Sequence, residues 1–157
     1  VLGDGPLRSE LEALVHELDA VDRVRICGYL ENPYAVVGRC DAYILPSDAE
    51  GFPNAMVEAM SLGKPVVATD CPSGPSEILE TVAVSGEPSR GRGGMLVECG
   101  AVDMMARAIT ALHDSDLRNN LGKLARERAM EFSVERSTLG FWQVITSNLA
   151  ANGGRVQ

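Results

Sequence analysis

Residues Pro65-Val66-Val67-Ala68-Thr69 form an unbroken apolar, β-branched run between Lys64 and Asp70. A strand with one wet face would alternate polar and apolar side chains. An unbroken run needs cover on both faces, which parallel sheets obtain from their crossover helices. The rest of the chain supplies matching pieces. Short runs at 24–27, 41–45 and 95–97 read as strands, and Val1-Leu2-Gly3 as the end of another. Between them, Leu7, Leu11, Leu14, Val15 and Leu18 recur at helical spacing, with Pro6 at the first helical position. Asn32 caps a short helix that carries Tyr34, Val36 and Val37 inward. A further helix covers 53–62 and ends at Gly63, and a short one lies around 76–80. Beyond Val102 the pattern is helical, with starts at Asp103 and Ser133. The expected fold is α/β: a Rossmann-like parallel sheet with helices on both faces, closed by a C-terminal helix pair. One domain is expected over 1–150, with a frayed tail at 151–157. Residues 81–94, with Gly86, Pro88, Gly91, Gly93 and Gly94, read as an irregular excursion.

In such sheets ligands bind beyond the carboxyl ends of the strands. The loops to inspect are therefore 3–6, 28–32, 46–53, 70–76 and 91–94. Charge narrows the ligand. Twenty-two acids against fourteen Lys and Arg leave −8, which disfavours nucleic acid and anionic membranes as partners. Residues 1–80 carry fourteen acids and five bases, a net of −9, and residues 81–157 carry eight acids and nine bases, a net of +1. No apolar run approaches the roughly eighteen residues of a transmembrane span. The first residues lack the basic and apolar regions of a signal peptide. Cys27, Cys40, Cys71 and Cys99 show no CxxC spacing and no histidine at zinc-ligand distance. Each sits in or beside an apolar run, so buried free thiols in a reducing cytoplasm are expected.

The segment Pro46-Ser47-Asp48-Ala49-Glu50-Gly51-Phe52-Pro53-Asn54-Ala55-Met56-Val57-Glu58 carries the chemistry. A strand ends, a loop with two carboxylates follows, and a helix opens near Pro53. The N–H groups from Gly51 to Ala55, Pro53 excepted, would point out of the helix's positive end toward a phosphate. Gly51 lets the backbone come close to a ligand. Glu58 is the only charge between Gly51 and Gly63, so it needs hydrogen-bond donors or an exposed helix face. A ribose diol would supply such donors. No DxD motif is present; Asp48 and Glu50 imitate it weakly, and no metal ligand is assigned. His16 and His113 read as solvent-facing, Lys64 as a surface lysine.

Glu50-Gly51-Phe52-Pro53-Asn54-Ala55-Met56-Val57-Glu58, followed by Gly63-Lys64-Pro65-Val66-Val67-Ala68-Thr69-Asp70, resembles the E-x7-E signature of glycosyltransferase family 4. Gly3-Asp4-Gly5-Pro6-Leu7 is similar to that family's G-x-G-P turn, and Val24-Arg25-Ile26-Cys27-Gly28-Tyr29 to its V-x-x-x-G strand end. Pro75-Ser76-Glu77-Ile78 and Gly93-Gly94-Met95-Leu96-Val97 match two later motifs. Gly100-Ala101 departs from the Gly-Asp that relatives often carry.

The resemblance implies a retaining GT-B enzyme of bacterial polysaccharide or glycan assembly that uses a nucleotide-sugar donor, with UDP expected. This chain would be the donor-binding second domain, incomplete at its N-terminus. Glu50 would touch the donor sugar as the catalytic residue. The backbone of Gly51, Phe52, Pro53 and Asn54 would line sugar and diphosphate, and Glu58 would hold the ribose. Gly28, Tyr29 and Leu30 would present backbone to the base, with Gly3 and Gly5 on the cleft loop. Glu77 either shapes its loop or meets the ligand. No cofactor or metal is implied. The implied partners are the nucleotide-sugar, a glycan or lipid-linked acceptor, and the enzyme's N-terminal acceptor domain. The family's basic pair lies upstream of the G-x-G-P turn, so the chain alone is expected to turn over little. The full enzyme would be cytoplasmic, or held at the cytoplasmic membrane face.

Two readings stay open for the last helices. Leu117, Leu121, Leu124 and Phe132, then Val134, Leu139, Phe141, Trp142, Val144, Ile145 and Leu149, either pack on the sheet or leave an apolar patch that drives self-association. A non-catalytic α/β interaction or regulatory module is the alternative function, since such folds host many. A module of that kind has no need of both Glu50 and Glu58.

Overall fold

The computed structural model describes residues 1–152, with side chains through residue 148. It comprises two compact units, Val1–Arg39 and Cys40–Gln157.

The larger unit holds four strands, β1 (Tyr43–Leu45), β2 (Val66–Thr69), β3 (Ser89–Gly91) and β4 (Gly94–Val97), in the order β1-β2-β4-β3. β1, β2 and β4 are parallel, and β3 is an antiparallel edge. Alternate residues enter two separate apolar layers. Val66, Ala68 and Leu96 pack with Met56 and Met60 of α3 (Asn54–Ser61), Ile78 and Leu79 of α4 (Pro75–Leu79), and Ala125 and Ala129 of α6 (Ser115–Ala129). Val67, Met95 and Val97 pack on the other face with Ala108 and Leu112 of α5 (Val102–Ala111) and Leu121 of α6. This double cover is why β2 reads as an unbroken run. Full burial of Val66 or Val67 is worth about 1.5–3 kcal/mol each. The parallel sheet with helices on both faces matches the expectation.

The helix ends follow local chemistry. Asp114 caps α6, its carboxylate accepting from the N–H groups of Asp116 (2.9 Å) and Leu117 (3.1 Å). Ser133 Oγ accepts from Arg136 N–H at 3.3 Å as α7 (Val134–Asn152) begins. Ala101 gives α5 no side-chain cap, the structural counterpart of the missing aspartate.

Several expectations need correction. Residues 81–94 are not wholly irregular: they contain β3 and the turn into β4. The 91–94 segment does not lie at the carboxyl end of the sheet. Gly94 pairs with Val66, the first residue of β2, so this turn sits at the opposite end. Only Cys71 is buried; Cys27 is half-buried, and Cys40 and Cys99 are exposed because they lie in the turns flanking strands. The second apolar series does not pack on the sheet: Leu139, Phe141, Trp142 and Val144 are exposed on α7. α7 meets the short 3-10 turn Met130–Phe132 instead. The expected tail lies, from residue 153 on, outside the described residues, as do the side chain of Leu149 and those after it.

In the smaller unit α1 (Arg8–Glu17) begins two residues after Pro6, with Leu7 at its N-cap. Its apolar stripe is not buried: Leu7, Leu11, Leu14 and Leu18 are all exposed. α2 (Tyr34–Val37) has Pro33, not Asn32, at its N-cap; Asn32, one residue earlier, still accepts through Oδ1 from Ala35 N–H at 3.4 Å. Of its apolar side chains only Val37 is buried; Tyr34 and Val36 are exposed. Residues 1–3 and 24–27 lie alongside each other without forming strands. Cys27 N–H donates to Val1 O and Gly3 N–H to Gly28 O, both at 2.9 Å. A regular parallel ladder would use Cys27 O for the second bond, so the register slips there. Among the described residues no helix is long and apolar enough to cross a membrane.

Candidate functional site

Three parallel strands end together, and the residues just beyond them tie one another in place. Thr69, the last residue of β2, is buried and donates through Oγ1 to Leu45 O (3.3 Å) and to Ser47 O. The loop after β1 is thereby anchored to the end of β2. Ser47 Oγ donates to Glu50 Oε1 at 2.7 Å, which orients a half-buried carboxylate. Ser73 Oγ donates to Glu50 O at 2.8 Å, joining the 70–76 loop to the same residue from the other side. Gly74, with φ of 101°, seats the buried Pro53; a Cβ there would fall 2.5 Å from Pro53 Cδ. Glu50 is thus fixed at both its main chain and its side chain by two loops packed on each other.

α3 leaves this corner at Asn54. Its buried residues are Met56, Ala59 and Met60, so Glu58 takes the exposed face, the second of the two readings open for it. Exposure leaves both carboxylate oxygens available to a ligand's hydroxyls. Among the described residues neither Glu50 nor Glu58 makes an ion pair. The Tyr43 phenol on β1 is pushed above its ordinary value, first by burial and then by the charges of Glu50 and Glu58. Both carboxylates therefore act on the same phenol, at the first residue of β1.

The amides at the helix start divide. Asn54 N–H bonds back to Phe52 O at 2.8 Å, so it does not point out to a ligand as expected. The proline preceding it leaves the chain in a tight turn that uses this donor internally. Gly51, Phe52 and Ala55 N–H have no acceptor among the described residues and remain available. Phe52 has a further role that its sequence gives no signal for. Its ring lies 5.6 Å from that of Phe132, and the Arg128 guanidinium sits over the Phe132 ring at 4.7 Å. Arg128 in turn donates to Ile78 O (2.8 Å) and Glu77 O (2.9 Å) and pairs with Glu80 (3.1 Å) and Glu131. For Glu77 it is the carbonyl, held by Arg128, that engages the fold; the side chain is exposed. Lys64 is half-buried at the far end of β2, and His16 and His113 are exposed.

The remaining candidates lie in the smaller unit. Gly3, Asp4, Gly5, Arg8 and Ile26 line an open pocket of about 320 Å³. The bond between Gly3 N–H and Gly28 O brings the first turn beside the second. Gly28 is buried, Leu30 half-buried, and Tyr29 exposed. Arg8 is the cation of this pocket, but Glu12 (2.9 Å) and Asp4 (3.6 Å) already neutralise it.

A fixed carboxylate after a parallel strand, followed by a helix with open amides and a second carboxylate, offers acceptors for hydroxyl groups and donors for an anion. The family model described as Glycosyl transferases group 1 matches residues 1–115, and the chain belongs to that family. It is 33% identical over 133 residues to the N-acetylgalactosamine-N,N'-diacetylbacillosaminyl-diphospho-undecaprenol 4-alpha-N-acetylgalactosaminyltransferase of Campylobacter jejuni, covering 84% of this chain and 34% of the relative. It is 29% identical over 149 residues to the lipopolysaccharide core biosynthesis glycosyltransferase LpsE of Rhizobium meliloti, covering 94% and 41%. Among solved structures, HepE of Anabaena in complex with UDP and glucose is similar with a TM-score of 0.79 and 25% identity, covering 93% of this chain and 39% of that one. The chain spans about a third of the length of the Campylobacter relative.

Proposed function

We propose that this chain is the nucleotide-sugar-binding half of a retaining GT-B glycosyltransferase. Residues 1–150 form the donor domain, and the acceptor is a glycan or lipid-linked saccharide bound by an N-terminal domain of the same enzyme. The donor is a UDP-hexose or UDP-N-acetylhexosamine, and the reading assigns no metal or cofactor. Complexes of relatives named with UDP and with glucose support a uridine nucleotide. The observation that carries the reading is the doubly anchored Glu50 beside the open amides of Gly51, Phe52 and Ala55. Glu50 meets donor-sugar hydroxyls, and the positive end of α3 stabilises the departing diphosphate. Glu58 accepts from the ribose hydroxyls, while Gly28, Tyr29 and Leu30 present backbone to the base and Gly3 and Gly5 border the cleft. Asn54 contributes through position, since its N–H is occupied. The apolar side of α7 faces the acceptor domain in the full enzyme, which acts in the cytoplasm or at the cytoplasmic membrane face. Alone, the chain binds nucleotide, self-associates through that side and transfers no sugar.

Calorimetric titration with UDP tests this. Glu58→Ala is expected to weaken binding about tenfold or more, ~1.4 kcal/mol, without lowering Tm, because Glu58 is exposed and unpaired. Equal affinity in the variant and the parent chain would contradict the assignment.

A further inference from the structure

Two thiols at the carboxyl edge have no part in the donor reading, and their placement is independent of it. β2 and β4 are paired from Val66 with Gly94 to Thr69 with Val97. Asp70 N–H donates to Val97 O at 2.7 Å, which carries the pairing past the last formal partners. Cys71 and Cys99 each stand two residues beyond the Thr69–Val97 pair, on adjacent parallel chains. The two chains lie about 4.8 Å apart where they pair, and both cysteines follow closely on that pairing, Cys99 in the turn after β4; a disulfide spans a Cα separation of roughly 4.4–6.8 Å. Side-chain direction agrees. Cys99 Sγ contacts Ser47 O at 4.0 Å, and Ser47 follows β1. Ser47 O also accepts from Thr69 Oγ1, so the Cys99 thiol lies beside the end of β2, two residues before Cys71.

We propose that Cys71 and Cys99 are a dithiol modification site that reacts with small-molecule disulfides and closes to an intrachain disulfide. Cys99 is exposed and Cys71 is buried, which assigns the order of events. The Cys99 thiolate attacks one sulfur of the small disulfide; that S–S bond breaks and one small thiol leaves. The Cys71 thiolate then attacks Sγ of Cys99, the mixed disulfide breaks, and the second small thiol leaves. The chain has lost two protons and two electrons, and the small disulfide has become two thiols. The pair is thus a reversible two-electron site at the edge where Ser47 holds Glu50. Burial, and then the neighbouring Cys99, Glu50 and Asp70, push the Cys71 thiol up, so the closing step accelerates as pH rises toward that value.

Oxidised glutathione is the probe, applied to the folded chain carrying Cys27→Ser and Cys40→Ser. The expected product is two hydrogens lighter than the reduced chain. Trypsin should then release peptide 40–90 joined to peptide 93–107, which carry Cys71 and Cys99. Closure should be about tenfold or more faster in the folded chain than in urea. Adding Cys99→Ser should leave folded protein without an adduct, because the remaining thiol is buried. A lasting glutathione adduct on Cys99 with no link to Cys71 would overturn the proposal, as would closure no faster than in urea.

Discussion

Gly93→Ala is expected to cost about 2–5 kcal/mol, enough to remove a large part of a domain's stability. Two effects add. Gly93 has φ of 95°, a conformation that costs a residue with a Cβ about 1–2 kcal/mol. A Cβ there would also fall 2.5 Å from Ala125 Cα and 2.7 Å from Ala125 N. These are backbone atoms of α6, so relief requires moving the helix off the sheet, and such overpacking costs about 1–3 kcal/mol. Gly86→Ala separates the two contributions. Gly86 has a similar φ of 90° and nothing within 4 Å of its added Cβ. It should lose only about 1–2 kcal/mol. Urea midpoints of the two variants provide the comparison; equal losses would show that the contact between turn and helix carries no energy.

Arg128→Met is expected to cost about 2–4 kcal/mol. Methionine keeps the aliphatic stem but leaves Ile78 O and Glu77 O without their donor, and takes from Glu80 and Glu131 one cation while Arg92 remains. The side chain is 12% exposed, so water replaces it poorly. The cation over Phe132 is lost as well. The effect should also carry a pH signature. At Glu131 burial raises the carboxyl, but hydrogen bonding and charge from Arg128, then Arg92, outweigh it, so the net displacement is below the ordinary 4.5. A depressed carboxylate contributes stability above its unfolded value, and that contribution is lost as pH falls through the folded one. The parent chain should therefore lose more stability below pH 4.5 than Arg128→Met does. Denaturation curves that stay parallel down the acid limb would contradict this.

These two sites mark what was and was not legible. β2 and β4 could be read because complete burial forces an unbroken apolar run. Glu50, Gly51 and Glu58 stand out in the sequence because spacing and type are both constrained, yet the internal bond of Asn54 does not show there, since it depends on one turn's dihedral angles. β3 escaped because Ser89-Arg90-Gly91 is polar, short and on an edge. Arg128 looked like any charge on a helix face; only the topology places it against the end of α4. Periodicity showed the apolar stripes of α1 and α7, but a stripe carries no information about whether anything in the chain covers it. Cysteines beside apolar runs were similarly ambiguous, because Cys40 and Cys99 stand in the flanking turns.

Amide NMR during titration with UDP tests the central claim most directly. The donor reading predicts shifts concentrated at residues 28–30 and 51–58, with Gly51, Phe52 and Ala55 moving more than Asn54, whose N–H is already bound. GDP should give smaller shifts at the same amides. Shifts confined to other surfaces, or none at Gly51 and Phe52 at saturating UDP, would contradict the assignment of this loop and helix as the donor site.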